Sequence, residues 1–337
     1  MALLGTGTDG RKLRVTLPDH DGFVPECGVQ WWYWTGHFAT DSGRRFGFEV
    51  VFFVFKKWGG FLATLCHQAL TDIDGGRFHY DEFTRPFQLP LATPGRFDFT
   101  SDNAAAVVAS GGGGRDHLRS RLGGMQLDVR LVAQTPPTVH YEGCAHPYAA
   151  GGYTLYYSRK RMKLEGTLAL TPGGPQERVV GEAWFDRQYG ELLPAIELGW
   201  QWFALHLNDG RDLMVFQFPG AHHAAETFAS LTDAKGRNRV LTPDDFLCHS
   251  TGEWPSPHTG TRYPSGWQIH IPSENLHLQV APQLLDQELH AEHQYWAGPE
   301  YWEGACEVKD MQGRALGVGY VELDGYSKQL FGKLDTD

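Results

Sequence analysis

The sequence predicts an all-β chain built from two antiparallel domains that are related by internal duplication. The chain has 41 glycines and 19 prolines, which make 60 of its 337 residues, together with 11 tryptophans and 20 phenylalanines. Frequent turn residues among many aromatic residues favour strands joined by tight turns. No long segment keeps a 3.6-residue periodicity, so few helices are expected. The third observation is that the two halves repeat one pattern of residues.

The strands are predicted in order along the chain. Aromatic or β-branched runs of strand length are QWWYWTGH at 30–37, FGFEVVFFVF at 46–55 and FLATLCHQAL at 61–70. In the second half, GWQWFALHL and LMVFQF flank the sequence NDGR, which is a hairpin signal. GYVELDGY at 319–326 is a further strand that runs into a turn, and GGGG at 111–114 is predicted to be an exposed loop.

The repeat consists of two matches in the same order. Trp32 and Trp34 precede Asp41 by nine and seven residues, as Trp200 and Trp202 precede Asp209. LTDIDGGR at 70–77 then matches LTDAKGR at 231–237. We therefore predict two duplicated β domains, at 1–190 and 191–337. Each would close into a barrel or a sandwich to remove its edges, and the groove between them would be the natural pocket.

The composition excludes several classes of partner. The net charge of −11 argues against binding to nucleic acids or anionic membrane surfaces, because both require basic patches. The five cysteines are widely spaced, which is typical of free thiols in a reducing compartment rather than of a disulfide framework or a zinc site. The N-terminus has no apolar segment of signal-peptide length, and no apolar run could span a membrane, so a cytoplasmic protein is expected.

Motifs for common cofactors do not occur in the sequence. It has no GxGxxG after a strand, no GxxxxGK[ST], no HExxH, no GxSxG and no CxxC. Nothing therefore indicates a nucleotide, flavin, haem or metal site, and we expect no cofactor.

The densest group of candidate site residues is GEAWFDRQYGE at 181–191. On a strand, Trp184 and Asp186 would share one side, while Phe185 and Arg187 would share the other. An aspartate beside tryptophan in an apolar cavity has a raised pKa, which suits a general acid near neutral pH. Alternatively, Asp186 pairs with Arg187 or caps a turn.

Three other segments place aromatic residues where a cavity could use them. In TLYYSRKRMKLEG at 154–166, Tyr156 and Tyr157 would point to opposite faces, so one could donate its hydroxyl into a cavity, or both could pack in a core. YWEGACEV at 301–308 contributes Trp302. In QWWYWTGH, aromatic rings on both faces indicate a strand that either lies in an interface between domains or lines a ligand cavity.

The order of these segments resembles a known family. The blocks QWWYWTG, ALTDIDGGRF, YTLYYS, GEAWFDRQ, GWQWFALHLNDGRDLM, RYPSGW, YWEGA and GYVELDGY are similar to those of the AttH-like and hydroxyneurosporene synthase (carotenoid 1,2-hydratase) family, over about residues 18–327. The resemblance implies two lipocalin-like β-barrel domains with a ligand cavity at or near their interface. Members include the hydratase, which adds water to a terminal isoprenoid double bond without a redox cofactor. Distant relatives in fungal polyketide pathways act as Diels–Alderases.

The resemblance also implies individual site residues. The catalytic aspartate of the hydratase matches Asp186, and the tyrosine before it becomes Trp184. A histidine and tryptophan pair of the hydratase falls near residues 154–157, where this chain has Tyr156 and Tyr157. The glutamate that usually precedes Trp-Trp-Tyr is Gln30, and the one that usually follows the aspartate block is Gln188.

Three functions are consistent with these residues. The first is a cofactor-free enzyme that protonates or hydrates a double bond of a hydrophobic isoprenoid or polyketide. Asp186 would be the general acid and Tyr157 a hydrogen-bond partner, and a wall of tryptophans would stabilise positive charge, formed by Trp32, Trp184, Trp202 and Trp302. The second is a pericyclase in which Gln30 or Gln188 polarises a carbonyl. The third is a non-catalytic carrier of a lipophilic molecule. The residues expected to bind the substrate are Trp32, Trp34, Tyr156, Trp184, Gln188, Trp202 and Trp302.

Overall fold

A computed structural model of the chain describes residues 13–56, 60–88, 93–192, 196–218, 227–290 and 300–327. The regular structure of these residues is strand, apart from short helical turns such as the 3₁₀ turns Asp19–Asp21, Tyr141–Gly143 and Pro272–Glu274. They contain no helix of seven or more residues, which confirms the prediction of an all-β chain. The chain divides into two compact units, one of residues 1–74 and 79–195, the other of residues 75–78 and 196–337. The domain limits 1–190 and 191–337 stay a prediction.

The first unit is built on a curled antiparallel sheet in the order β4-β3-β2-β1-β12-β11-β8-β7-β6-β5, with β9 and β10 added along β11. The strands of this sheet are β1 (Val29–Thr40), β2 (Arg45–Lys56), β3 (Leu62–Asp72), β4 (Arg77–Gln88), β5 (Phe97–Thr100), β6 (Val107–Gly112), β7 (Arg115–Leu122), β8 (Met125–Ala133), β9 (Thr138–Val139), β10 (His146–Pro147), β11 (Tyr153–Ala169) and β12 (Gln176–Glu191), and the first two residues of β4 belong to the second unit.

The second unit has a sheet in the order β16-β15-β14-β13-β24-β23-β21-β20-β17, with β22 beside β23, and a separate pair of β18 and β19. Its strands are β13 (Trp200–Leu207), β14 (Asp212–Gln217), β15 (Phe228–Thr232), β16 (Asn238–Leu241), β17 (Leu247–Ser250), β18 (Glu253–Pro255), β19 (Arg262–Pro264), β20 (Trp267–Ile271), β21 (Leu276–Pro282), β22 (Glu288–Leu289), β23 (Tyr301–Asp310) and β24 (Ala315–Asp324).

The two sheets share one topology. In each, four consecutive strands form a meander whose first strand then pairs with the last strand of the unit, and that strand pairs with its predecessor. The predicted duplication is therefore confirmed. The predicted strands at 46–55, 61–70, 213–218 and 319–326 lie on β2, β3, β14 and β24, and the NDGR turn joins β13 to β14.

The residue-by-residue alignment of the repeat was wrong by one position at the tryptophans. The N–H of Thr40 donates to the carbonyl of Arg44 across the first turn, and that of Leu207 donates to Arg211 across the equivalent turn. These turns match at an offset of 167, whereas the tryptophans were aligned at 168. A slip of one residue moves a side chain to the other face of a strand. Trp34 accordingly lies in the core of its unit, whereas Phe203 rather than Trp202 lies in the core of the second.

The glycine run at 111–114 forms a tight hairpin rather than an exposed loop. It ends β6 and leads directly into β7. Gly113 and Gly114 have φ values of 65° and 77°, a region that favours glycine because it has no Cβ. The N–H of Gly113 donates to Oδ2 of Asp21 at 2.6 Å, so the turn is anchored to the N-terminal segment.

Candidate functional site

Strands β11 and β12 are neighbours in the first sheet, and their side chains alternate between two buried faces. Tyr157 and Phe185 belong to the hydrophobic core of the unit. Tyr156, Trp184 and Asp186 point to the opposite face, yet they are only 1%, 1% and 4% exposed. The predicted alternation is therefore correct for both strands, and we call the second face the Asp186 face.

Asp186 is surrounded by hydrogen-bond donors. Its Oδ2 accepts from the hydroxyl of Tyr156, and its Oδ1 accepts from Nε1 of Trp184 at 2.7 Å. Burial raises the pKa of Asp186 to about 6, although hydrogen bonds from Ser158, Tyr156 and Trp184 and the charge of Lys160 favour the carboxylate. Desolvation outweighs these contacts because a charge in a low-dielectric interior loses its hydration. The side chain can therefore exchange a proton near neutral pH.

Ser158 and His140 extend the contacts of Asp186, and the sequence did not single them out. Ser158 lies directly opposite Asp186 on β11. Nε2 of His140 lies 2.9 Å from Oγ of Ser158, and the imidazole packs on the Tyr156 ring at a centroid distance of 4.2 Å. Burial, reinforced by the charge of Lys160, holds the pKa of His140 well below its usual value, so the ring is neutral.

Two prolines account for the position of His140. β8 pairs with β11 up to Ala133, opposite Met162. Pro136 and Pro137 have no N–H to continue that ladder. The chain re-enters the sheet as β9, beside Tyr157 and Ser158, and the N–H of His140 donates to the carbonyl of Tyr156. The Pro-Pro pair before Thr138 was the signal that could have indicated this loop.

A β-bulge in β11 lies beside the Asp186 face. The register between β11 and β12 shifts between Arg159 and Met162, which leaves an extra residue on β11. Lys160 is buried on this face, with Nζ 5.5 Å from the centroid of the Trp184 ring. The bulge therefore places an ammonium group close to the carboxyl group of Asp186.

Strand β1 adds aromatic residues to the same face. Tyr33 lies directly opposite Asp186, and Trp31 lies opposite Gln188. Nε2 of Gln188 donates to the hydroxyls of Tyr148 and Thr154, both at 2.9 Å. Gln188 was among the predicted binding residues. Tyr33 and Tyr148 were not, because their relation to Asp186 depends on strand register.

Tyr157 was predicted to be a hydrogen-bond partner in the site, but the tyrosine that contacts Asp186 is Tyr156. The hydroxyl of Tyr157 donates to Oδ1 of Asp21, which also accepts from Nη2 of Arg159 at 2.7 Å. Successive residues of a strand point to opposite faces, so Tyr157 and Asp186 lie on different sides of the sheet.

Gln30 was predicted to be catalytic, and it lies on the core side, away from Asp186. Its Oε1 accepts from the N–H of Val24 at 3.0 Å and from Nη2 of Arg187 at 2.7 Å, while Nε2 donates to the carbonyl of Val24 at 2.6 Å. These contacts fix the segment before β1. Arg187 therefore pairs with Gln30, and the alternative in which it pairs with Asp186 is wrong.

The tryptophans predicted to line the site lie in different parts of the structure. Trp32 and Trp34 belong to the core of the first unit, where their indole nitrogens donate to the carbonyl of Asp21 and to Oδ2 of Asp116. Trp302 belongs to the core of the second unit and donates to the carbonyl of Leu285. Trp202 is buried outside that core. Of the predicted tryptophans, the structure brings Trp184 into contact with Asp186, and roles for the others at a site stay predictions.

Neither a metal-binding cluster nor a membrane-spanning helix occurs among the residues that the structure describes. Among those residues, no group of three or more His, Cys, Asp or Glu side chains could hold a metal ion. None of their helices is long and apolar enough to cross a membrane.

Solved structures with the same fold include one protein assigned as AttH and one hydratase. A Nitrosomonas europaea protein provisionally assigned as AttH matches with a TM-score of 0.80 and 28% identity, over 97% of this chain and 100% of that chain. Kievitone hydratase from Nectria haematococca matches with a TM-score of 0.68 and 17% identity, over 95% of each chain. CghA in complex with Sch210972 matches with a TM-score of 0.50 and 10% identity, over 90% of this chain and 94% of that one. These likenesses agree with the two-domain lipocalin-like fold.

Sequence comparison gives the family directly. Functionally curated proteins provide no match to the chain. The family profile described as AttH-like matches residues 8–326, nearly the whole chain. The resemblance found in the ordered sequence blocks is thereby confirmed, and the chain belongs to the AttH-like family.

Proposed function

We propose that the protein is an enzyme that adds a proton to a carbon–carbon double bond of a hydrophobic small molecule, and that water then adds to the resulting cation. The observation that carries this proposal is the buried Asp186, whose pKa is raised to about 6 within a shell of hydrogen-bond donors. A carboxyl group that is only 4% exposed destabilises the fold when it ionises, unlike a surface aspartate. Such groups concentrate where proton transfer is needed.

The chemistry follows from the contacts of Asp186. Its acid proton would form a bond to the less substituted alkene carbon, which leaves a carbocation and a carboxylate. The hydroxyl of Tyr156 and the indole N–H of Trp184 would then stabilise that carboxylate, because both already donate to its oxygens. Aromatic faces such as those of Trp184 and Tyr33 would stabilise the cation. Alkene and water together give an alcohol, so the reaction balances without a redox cofactor.

The aromatic surroundings support an isoprenoid or polyketide as the substrate. Tyr33, Tyr156 and Trp184 provide large buried apolar surfaces beside the acid, with few charges. The fold is shared with an enzyme named kievitone hydratase, which is consistent with hydration chemistry on this scaffold. A cavity at the domain interface and a cytoplasmic location stay predictions.

The contacts of the two glutamines count against the pericyclase alternative in the form predicted. To polarise a carbonyl, a glutamine must offer an N–H to the substrate. Nε2 of Gln188 already donates to Tyr148 and Thr154, and Nε2 of Gln30 donates to Val24 and, at 3.5 Å, to Cys27. Cyclisation would therefore need other donors.

One product assay separates the three functions. The purified protein would be incubated with a phenol that carries a dimethylallyl group and, separately, with an acyclic isoprenoid polyene, followed by liquid chromatography and mass spectrometry. We expect a product heavier than the substrate by one water. An isomer of unchanged mass would identify a cyclase, and recovery of every substrate unchanged would leave a carrier and reject the proposal.

Tyr156→Phe and Tyr157→Phe are expected to have different effects. Tyr156→Phe removes a hydrogen bond to the carboxylate that forms during proton transfer, which should lower kcat by about tenfold to a hundredfold. Tyr157→Phe removes a donor to the buried Asp21 on the other face, which should cost about 1–3 kcal/mol of stability and leave kcat within about threefold. Kinetics and urea unfolding of both variants measure this contrast. A larger loss of kcat in Tyr157→Phe would contradict the assignment of Tyr156.

A further inference from the structure

A continuous line of polar groups leads away from Asp186. The Ser158 hydroxyl hydrogen-bonds to Asp186. Oγ of Ser158 also lies 2.9 Å from Nε2 of His140. All three side chains are buried, at 0%, 1% and 4% exposure for Ser158, His140 and Asp186. A proton could therefore pass between His140 and Asp186 without leaving the interior.

The order of these groups differs from that of a hydrolytic triad. In a nucleophilic triad the histidine lies between the serine and the aspartate, and the serine oxygen is directed at the substrate. Here the serine lies between the other two, and its oxygen contacts both. The arrangement is suited to proton transfer through the hydroxyl rather than to attack by it.

The contacts define the histidine tautomer. When Asp186 is ionised it can only accept, so the single hydroxyl proton of Ser158 then donates to it. The other partner of Oγ must then be a donor, so Nε2 of His140 carries a proton. In the neutral ring, Nδ1 is consequently the basic nitrogen.

We propose that His140 is a second catalytic residue, which takes the proton released by the adding water and returns a proton to Asp186 through Ser158. This rests on the proposed hydration. As the water oxygen forms its bond to the cationic carbon, one O–H bond breaks and its proton binds to Nδ1. The proton on Nε2 passes to Oγ of Ser158 while the hydroxyl proton passes to the Asp186 carboxylate. The acid is thereby restored, and His140 regains its starting tautomer by proton exchange with water.

The buried setting of His140 favours this direction of transfer. Lys160 lies on the same face of β11, and Tyr156 packs against the imidazole. Burial, and in addition the lysine charge, disfavours an imidazolium ion. A proton that reaches His140 is therefore passed on to the Asp186 carboxylate rather than held.

The decisive variant is His140→Gln. A glutamine amide can donate to Ser158 as Nε2 does, but it cannot carry a proton. We expect kcat for hydration of the dimethylallyl phenol to fall about a hundredfold, as in His140→Ala. In D₂O the recovered alkene should gain deuterium, because the cation still forms but returns to alkene more often than it captures water. Ser158→Ala should behave in the same way, and Ser158→Thr, which keeps the hydroxyl, should restore most of the activity.

The outcomes separate this proposal from the one on which it rests. If His140→Gln hydrates the substrate at the wild-type rate while Asp186→Asn is inactive, the relay is wrong and the acid stands. If Asp186→Asn is active, the proposed function itself fails. ¹⁵N NMR of the wild type provides a readout independent of activity. The spectrum should be recorded at a pH above the pKa of Asp186. If Nδ1 of His140 carried the proton there and Nε2 did not, the relay would be overturned.

Discussion

Asp186→Asn is expected to lower kcat by at least about a hundredfold while the protein folds normally, because the amide cannot supply an acid proton. The substitution preserves shape and most hydrogen bonds. The amide oxygen can accept from Trp184, and the amide N–H₂ can donate to Tyr156, whose hydroxyl can also accept. Product formation, with circular dichroism as a check on folding, measures the effect. An active Asn variant would remove Asp186 from the mechanism.

Asp116→Asn is the matched control. Burial also raises the pKa of Asp116 to about 6, but its carboxyl group accepts from Nε1 of Trp34 and from the N–H of Gly112 on the core side of the sheet. The amide cannot accept from both donors as the carboxylate does, so this variant should lose about 1–3 kcal/mol of stability yet keep its activity. Equal losses of activity in both variants would indicate a general effect of buried carboxylates on the fold.

The raised pKa of Asp186 also predicts two pH dependences, which can be measured on the wild type and the Asp186→Asn variant. If the protonated form is the active one, wild-type kcat should be constant below about pH 6 and fall about tenfold for each pH unit above it. A folded-state pKa above the unfolded value contributes stability at low pH that is lost as the pH rises. From about pH 4 to about pH 6, the wild type should therefore lose about 3 kcal/mol relative to Asp186→Asn. A constant difference across that range would show that Asp186 titrates normally.

Arg187→Met is expected to destabilise the first unit by about 3 kcal/mol and to release the segment before β1. The guanidinium is fully buried, and burial lowers its pKa to about 10. It lies 3.7 Å from the centroid of the Trp32 ring, and Nη2 donates to the carbonyl of Gly22 at 2.9 Å and to Gln30 at 2.7 Å. Methionine fills the volume but leaves these acceptors without a donor, and that penalty exceeds the gain from removing a buried charge.

Hydrogen exchange of residues 14–28 measures this release directly, and urea unfolding gives the free energy. Arg161→Met provides the control, because Arg161 forms a partly exposed ion pair with Glu182 at 2.7 Å. Pairs of that kind contribute about 0–1 kcal/mol. If both variants kept wild-type protection at residues 14–28, the role of Arg187 in holding that segment would be refuted.

The sequence predicted the fold class and the face on which Asp186 lies because both depend on local pattern. Alternation on β12 separates Trp184 and Asp186 from Phe185 and Arg187, whatever the rest of the chain does. The same argument separated Tyr156 from Tyr157 but could not choose between them. That choice depends on which face of the strand becomes the core, and the structure places Tyr157 there.

Register and long-range contacts decided the rest of the site. His140 reaches Ser158 from a loop 18 residues earlier, and Tyr33 meets Asp186 from a strand more than 150 residues away. Contacts between residues so far apart along the chain do not produce a periodic pattern in the sequence. Gln30, at the start of the QWWYWTGH run, was predicted to be a site residue because the resemblance implies a glutamate at that position. Its side chain instead ties the N-terminal segment to Arg187.

By itself, the sequence determined the all-β class and the duplication through composition and spacing, the face of Asp186 through alternation along one strand, and the family through the resemblance of its ordered blocks. Only the tertiary structure decided the partners of that aspartate and the faces of the tryptophans. The reason is that a shift of one residue in register reverses every side chain of a strand, and that register is set by pairing with distant strands, by the bulge at Lys160 and by the break at Pro136 and Pro137.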